Sequence, residues 1–256
     1  MRPDPRRLAA ALLATPERRT ALAVAAATAF AMLLLDGPAL RLFSELGPVA
    51  GTLLRIATLI GDSGWMLVSC AGVAVAAFIA GRHTRSVHYA RGLRRVWQVG
   101  LAAFACVGLL GLLAAGLKLA IGRPRPTLVD QMGLFGFEPL AFSFKMNSFP
   151  SGHSTTLFAL AAVVVILAPR YRWGVLSVAA LGALTRVTVG MHHVSDVVAG
   201  AALGWFGSRA LLRRLAARGI GFDTALRPRD GRVAAAALRR LFRRTAAAAT
   251  IGGRPG

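Results

Sequence analysis

Charge and cysteine are both scarce in this sequence. Charged residues make up only 16% of the 256 residues, and 10 acidic residues stand against 31 basic ones. The two cysteines, Cys70 and Cys106, each lie inside an apolar segment, so we expect unpaired packing residues and neither a disulfide nor a metal site. Without more charge, the chain lacks the composition of a soluble domain.

Apolar residues are abundant instead, and they occur in long runs. They account for 55% of the chain. Six runs are long enough to cross a hydrocarbon core, which takes roughly 17–25 helical residues. The runs are 20–36, 64–81, 97–118, 152–168, 174–191 and 194–212. The sequence predicts an all-α fold, a six-transmembrane-helix bundle over residues 20–212, flanked by a basic segment 1–19 and a basic tail 213–256.

The net charge of +21 comes from arginines grouped at four places along the chain. They are Arg2, Arg6, Arg7, Arg18 and Arg19 before the first run, Arg82, Arg85, Arg91, Arg94 and Arg95 after the second, Arg170 and Arg172 after the fourth, and Arg209, Arg213, Arg214 and Arg218 at and after the end of the sixth. With six spans, all four groups fall on one side, so the positive-inside rule predicts cytoplasmic N- and C-termini.

These arginines are expected to contact anionic lipid headgroups at the cytoplasmic face. Nucleic-acid binding is disfavoured as a function class, because no aromatic-studded basic domain accompanies the charge. Within the tail, residues 233–245 form either a basic amphipathic helix on the membrane or a disordered segment. No sequence signal indicates an oligomeric state.

The N-terminus has features of a secretory signal peptide, because arginines precede the apolar stretch 21–35. Cleavage would leave five spans and place the arginine-rich tail outside, against its charge. We therefore expect an uncleaved first helix.

Two segments are expected outside the membrane. Residues 37–63 contain a short amphipathic piece at 53–60 closed by Gly61 and Asp62. Residues 119–151 are rich in phenylalanine, and these rings either pack the loop onto the bundle and the membrane interface or border an entrance for a lipid tail. The rings are Phe135, Phe137, Phe142, Phe144 and Phe149.

Three groups of polar residues lie at the edges of apolar runs, where an unpaired buried charge costs several kcal/mol. They are Lys118 with Arg125-Pro126, then Pro150-Ser151-Gly152-His153, then Arg186 with His192 and Asp196. The six-span topology puts all three at one membrane face. Snorkelling explains a single Lys118 or Arg186, but not the convergence of three cations, two histidines and a carboxylate.

The spacing of these residues suits phosphate chemistry. Pro150 fits the first turn of a helix, whose N-terminal N–H groups at Ser151, Gly152 and His153 would form an anion site. His192 and Asp196 are four residues apart and would share a helix face. Asp196 would then accept the Nδ1–H of His192 and leave Nε2 free for attack.

The ordered set Lys118-x6-Arg125-Pro126, Pro150-Ser151-Gly152-His153 and Arg186-x5-His192-x3-Asp196 resembles the three motifs of the phosphatidic acid phosphatase type 2 superfamily. This superfamily contains bacterial lipid phosphate phosphatases and vanadium haloperoxidases. One departure is Thr185, where the family usually has serine, and its hydroxyl is expected to preserve function. Arg123 is an additional cation with no assigned role, and His193 is interpreted as a neighbour of the site.

The resemblance implies a role for each motif residue. His192 would attack phosphorus to form a phosphohistidine, supported by Asp196, and His153 would protonate the leaving oxygen and then activate water. The phosphate would be held by Lys118, Arg125, Ser151, Gly152 and Arg186. Three fixed cations neutralise a phosphate without a metal, so no metal and no other cofactor is expected.

The leading hypothesis is therefore a lipid phosphatase of the bacterial inner membrane with its active site at the outer face. Undecaprenyl diphosphate is the first candidate substrate, followed by phosphatidylglycerol phosphate, phosphatidic acid and the phosphates of lipid A. The alternative is a phosphotransferase that passes the phosphate to another lipid. A haloperoxidase is disfavoured because those relatives are soluble, and a non-catalytic scaffold is disfavoured because every charged motif position is intact.

Overall fold

The computed structural model describes residues 15–44 and 58–218, and all regular structure within them is helical. The helices are α1 Pro16–Phe30, α2 Asp36–Ser44, α3 Ser63–His83, α4 Val87–Ile121, α5 Val129–Met132, α6 Gly152–Leu167, α7 Arg172–Thr188 and α8 Val194–Ala217. A π-helical stretch, Ala31–Leu35, joins α1 to α2, and single 3₁₀ turns lie at Thr58–Gly61, Pro126–Leu128, Phe144–Met146 and Pro169–Tyr171. The predicted all-α class is confirmed.

Local sequence signals set several helix ends. Thr15 caps α1, where Pro16 occupies a first-turn position that needs no N–H acceptor. Asp62 caps α3 by accepting from the N–H of Gly64 at 2.7 Å. Gly122 ends α4 with φ +60, and a Cβ there would lie 1.6 Å from the carbonyl oxygen of Glu138. Only glycine fits this turn, which leads the chain from α4 into the site.

Three stretches are long and apolar enough to cross a membrane, and a shorter apolar helix is α6, Gly152–Leu167. The stretches are Pro16–Leu42, Ser63–His83 and Val87–Met132. Large apolar side chains are exposed on α1, α3, α4 and α7, among them Phe30, Val68, Leu112 and Leu181. Helices apolar on their outward faces are expected where lipid, and not water, is the surrounding medium. Three of the six predicted spans thus meet the criterion for crossing, and the count of six stays a prediction.

Helix α6 lies at the centre of the bundle and packs against α4, α7 and α8. Its contact with α8 is unusually close: a Cβ at Gly204 would lie 2.2 Å from the carbonyl oxygen of Thr155, and one at Gly200 would lie 2.4 Å from that of Ser151. Two glycines four residues apart let helix backbones approach in this way. The approach brings the start of α6 against the start of α8.

Two helices extend beyond the apolar spans predicted for them. Helix α4 begins at Val87, so residues 87–96, expected in a cytoplasmic loop, are helical, and only Thr84, Arg85 and Ser86 separate α3 from α4. Helix α8 likewise continues to Ala217 past the predicted end of the last span. Hydropathy detects the apolar part of a helix and not its polar extension. Most of the amphipathic piece 53–60 and the tail segment 233–245 lie outside the described residues.

Both cysteines serve packing. Cys106 is fully buried in a cluster with Ala102, Ala103, Val163 and Leu212, and the half-buried Cys70 packs against it. Both thiols are free.

Candidate active site

The predicted site residues lie at one end of the bundle, where α4 and α7 finish and α6 and α8 begin. The N–H of Ser151 donates to the backbone carbonyl of Asp196 at 3.0 Å, which joins the second motif to the third. The Lys118 ammonium lies beside Gly152, 3.8 Å from where a Cβ would stand, which joins the first motif to the second.

His192 lies in the turn between α7 and α8, and not on a helix with Asp196 as the sequence predicted. Helix α8 starts at Val194, and His193 is its N-cap. Gly190, with φ +68, makes the turn, and the N–H groups of Met191 and His192 both donate to the carbonyl of Arg186 at 3.1 Å. The turn still places His192 Nδ1 3.6 Å from Asp196 Oδ2, longer than a hydrogen bond but within reach of one after a small adjustment.

Asp196 is fully buried and held by three donors. Its Oδ1 accepts from Arg123 Nη1 at 2.6 Å, while Oδ2 accepts from Ser148 Oγ at 2.5 Å and from the His193 N–H at 2.8 Å. Three charged or dipolar donors favour the ionised carboxylate and fix its orientation. His193 thus contributes its backbone to the site, and its ring Nε2 forms a hydrogen bond with the carbonyl of Pro124 at 3.1 Å.

Arg123, which the sequence analysis left without a role, is the largest fully buried side chain of the described residues. Besides Asp196, it binds Asp36 through Nη2 at 2.8 Å and Ser195 Oγ through Nη1 at 2.6 Å. Asp36 also accepts from the N–H and the hydroxyl of Ser195, at 2.9 and 2.6 Å. The stretch Pro16–Leu42, which contains α1, the π-helical stretch and the start of α2 and is called the first helix below, therefore reaches the site through Asp36, a carboxylate that no motif contains.

The three predicted phosphate-binding cations differ in how they are held. Lys118 Nζ donates to the Asn147 carbonyl at 3.2 Å. Arg125 stacks over the Phe144 ring at 3.7 Å from its centroid, and its Nε donates to the Phe144 carbonyl at 3.0 Å. The buried Nε of Arg186 has no hydrogen-bond partner among the described residues. A buried, unpaired N–H beside two further cations is suited to an anionic ligand.

The second motif is arranged differently from the prediction. Helix α6 begins at Gly152 with Ser151 as its cap, so Pro150 precedes the helix and does not occupy its first turn as predicted. The Ser151 N–H already donates to the Asp196 carbonyl, so the Ser151 backbone offers no donor to an anion. The Ser151 Oγ accepts from the Ser154 hydroxyl at 3.0 Å. The N–H groups of Gly152 and His153, in the first turn, have no acceptor among the described residues.

The His153 ring is half-buried and packs against the turn before α3. A Cβ at Gly61 would stand 3.0 Å from His153 Cδ2, and the Gly61 carbonyl accepts from the Thr156 hydroxyl at 3.1 Å. The segment 37–63, which the sequence predicts outside the membrane, thus contributes a wall of the site through Gly61.

The phenylalanine-rich loop is largely exposed. Phe142 is 88% exposed, and Phe135 and Phe144 each expose more than half of their surface. Phe144 packs on Arg125 with part of its ring, so one aromatic side chain of the loop directly borders the cationic group.

Comparison with known proteins decides the family. Residues 99–220 match the family model described as PAP2 superfamily. The chain is 38% identical over 186 residues to a protein named lipid A 1-phosphatase from Rhizobium etli, covering 70% of this chain and 77% of that relative. The chain belongs to the PAP2 superfamily.

Two further similarities accompany this assignment. A lipid A 1-phosphatase from Rhizobium johnstonii is 40% identical over 152 residues, which span 57% of this chain and 60% of the relative. A solved structure, the transmembrane PAP2 type phosphatidylglycerolphosphate phosphatase from Bacillus subtilis, aligns with a TM-score of 0.47 and 24% identity over 81% of this chain and 92% of that one. As a PAP2 superfamily member, the present chain is a bacterial membrane enzyme, a phosphatase acting on lipid phosphates.

The protonation states of the loop residues suit this PAP2 site. Burial lowers the pKa of His192 from 6.5 to about 4, with Asp196 opposing the shift and Lys118 and Arg125 adding to it. The imidazole is therefore neutral at neutral pH and keeps the free lone pair that a nucleophile requires. Burial, and next the charge of Arg186, lower the pKa of Arg125 to about 10, so its guanidinium stays cationic at neutral pH.

Proposed function

We propose that this PAP2 enzyme removes the 1-phosphate of lipid A through a phosphohistidine intermediate. The observation that carries the substrate is the name of both curated relatives, which are 38% and 40% identical to this chain. Undecaprenyl diphosphate, the first candidate from the sequence, stays a competing prediction, and neither of these two relatives is named for it.

In the proposed first step, Nε2 of His192 attacks phosphorus and forms the N–P bond as the P–O bond to the lipid breaks. Asp196 holds Nδ1–H and stabilises the positive ring that forms. His153 gives its proton to the leaving oxygen, and the negative phosphate favours the protonated form of His153 beforehand. In the second step, His153 takes a proton from water, the oxygen bonds to phosphorus, and the N–P bond breaks.

The proposed phosphate cradle combines Lys118, Arg125 and Arg186 with the free N–H groups at the start of α6. The unpaired Nε of Arg186 and the N–H of Gly152 support this assignment. Charge spread over the phosphate oxygens in the transition state is stabilised by donors already in place, which is usually the largest catalytic contribution. Ser151 contributes by capping α6, so that these N–H groups keep their direction.

The proposed orientation follows from the arginines. The arginines that lie at or next to the helix ends opposite the site are Arg82 and Arg85 at and just after the end of α3, Arg170 and Arg172 just before and at the start of α7, and Arg213 near the end of α8. With six crossings, the positive-inside rule places that end in the cytoplasm and the active site outside. A reporter fused after Arg213 is expected to be cytoplasmic, and an external signal would contradict the orientation.

The substrate is tested by incubating the purified enzyme in detergent, with a chelator and no added acceptor, with each of four lipids. These are lipid A, undecaprenyl diphosphate, phosphatidylglycerol phosphate and phosphatidic acid. We expect inorganic phosphate to be released fastest from lipid A, with mass spectrometry showing loss at position 1 only. Faster release from undecaprenyl diphosphate would refute the substrate, and phosphate recovered on a second lipid instead of in solution would favour the phosphotransferase.

A further inference from the structure

A chain of buried charges runs from the first helix to the catalytic turn. Asp36, Arg123 and Asp196 are each 0% exposed, and Arg123 bonds both carboxylates through separate nitrogens, at 2.8 and 2.6 Å. Guanidinium geometry suits such double contact, which an ammonium group cannot reproduce. Buried ions are tolerated only when paired, so each member of the chain depends on the others.

The charges of Asp36, Arg123 and Asp196 do not sum to zero. Two carboxylates share one guanidinium, leaving one negative charge, and that charge faces His192 through Asp196 Oδ2. The other groups acting on His192 are Lys118 from α4, Arg125 from the loop after α4 and His153 from α6. Because Asp36 also pairs with Arg123, the positive charge of Arg123 neutralises Asp196 less completely. The net charge that acts on His192 from this side is therefore more negative.

We propose that Arg123 and Asp36 form a positioning pair that sets the orientation and the effective charge of Asp196, and through it the reactivity of His192. This inference deepens the proposed function and rests on His192 being the nucleophile. Arg123 touches neither substrate nor the attacking atom, so it acts through Asp196.

A purely structural ion pair would behave differently from a positioning pair. If the pair only holds the first helix in the bundle, then removal of either partner, or of both, lowers the amount of folded protein without changing the titration of His192. If the pair sets the charge of Asp196, neutralising Arg123 leaves two uncompensated carboxylates, and neutralising both partners restores the original net charge.

The test uses Arg123→Gln, Asp36→Asn and the double variant in the full-length enzyme. The His192 ring is followed by NMR of isotope-labelled histidine, assigned by the signal lost in His192→Gln. The wild-type midpoint is expected near 4, below the ordinary 6.5 because burial disfavours the charged ring. Arg123→Gln is expected to raise the midpoint by about one unit, since added negative charge stabilises the imidazolium. It is also expected to lower kcat about 100-fold with KM changed less than about threefold.

The double variant is expected to recover part of kcat and to return the midpoint toward the wild-type value, with Asp36→Asn alone milder than Arg123→Gln. A double variant no better than Arg123→Gln, or an unchanged midpoint and kcat in Arg123→Gln, would overturn the proposal. If Arg123→Gln does not fold, Arg123→Lys decides. It keeps the charge but not the double contact, so kcat should fall while the midpoint stays, and wild-type kcat would count against the pair.

The experiment distinguishes a wrong positioning pair from a wrong nucleophile. The titration is recorded without substrate, so it reports on the pair whatever His192 does in turnover. Full activity in His192→Gln would remove the proposed mechanism and leave the electrostatic coupling measurable.

Discussion

His192→Gln is expected to reduce phosphate release by about 10⁴-fold or more in kcat, because no other group replaces the nitrogen proposed to attack phosphorus. Glutamine keeps a similar size and polarity in a pocket where the ring is only 2% exposed, so folding is expected to survive. The measurement is single-substrate phosphate release on protein whose elution and thermal stability match the wild type.

The matched control is His88→Gln, an exposed histidine in the first turn of α4 at the opposite end of the bundle. Its kcat should stay within about twofold of wild type, as surface changes away from a site usually have little effect. Comparable activity in the two variants would show that His192 is not the nucleophile and would turn attention to His153.

Gly204→Ala is expected to have the largest effect on stability. The added methyl would lie 2.2 Å from the Thr155 carbonyl oxygen and 2.9 Å from the Ala159 backbone nitrogen, and neither can move without shifting α6. Overpacking of this kind costs typically about 1–3 kcal/mol, and more when backbone is displaced. We expect a lower thermal unfolding midpoint in detergent and a large loss of phosphate release.

Gly116→Ala provides the comparison, because Gly116 is an exposed helical glycine with nothing within 4 Å of the added methyl. Alanine should be neutral or mildly stabilising there, given its higher helix propensity. Equal thermal midpoints for the two variants would mean that the close approach of α6 and α8 is not needed for stability.

The sequence predicted which side chains of the site lie close together, but not their local geometry. Motifs at the ends of apolar runs predict which side chains share a membrane face, and the structure brings Lys118, His153 and His192 to one end of the bundle. The wrong detail concerned local geometry: His192 lies in a turn and not on a helix, and Pro150 precedes α6 instead of lying in its first turn. Residue spacing cannot distinguish a helix from a turn that ends in one.

Asp36 could not be assigned from its local sequence. It is separated from Arg123 by 87 residues and stands at the end of an apolar run, where a carboxylate commonly meets water. The available signal was general: an ionisable residue at the edge of a span needs a partner, and Arg123 was a cation without an assigned role. Pairing the two required the fold.

The position of Asp36 limits how this enzyme can be divided. The family match covers residues 99–220 and includes every motif residue, yet Asp36 lies far upstream of it. A chimera that joined residues 99–220 to the leading helices of an unrelated membrane protein would carry the histidines proposed to be catalytic, but Arg123 would be buried beside one carboxylate fewer. We therefore expect that grafting this activity onto another scaffold requires transfer of the first helix as well.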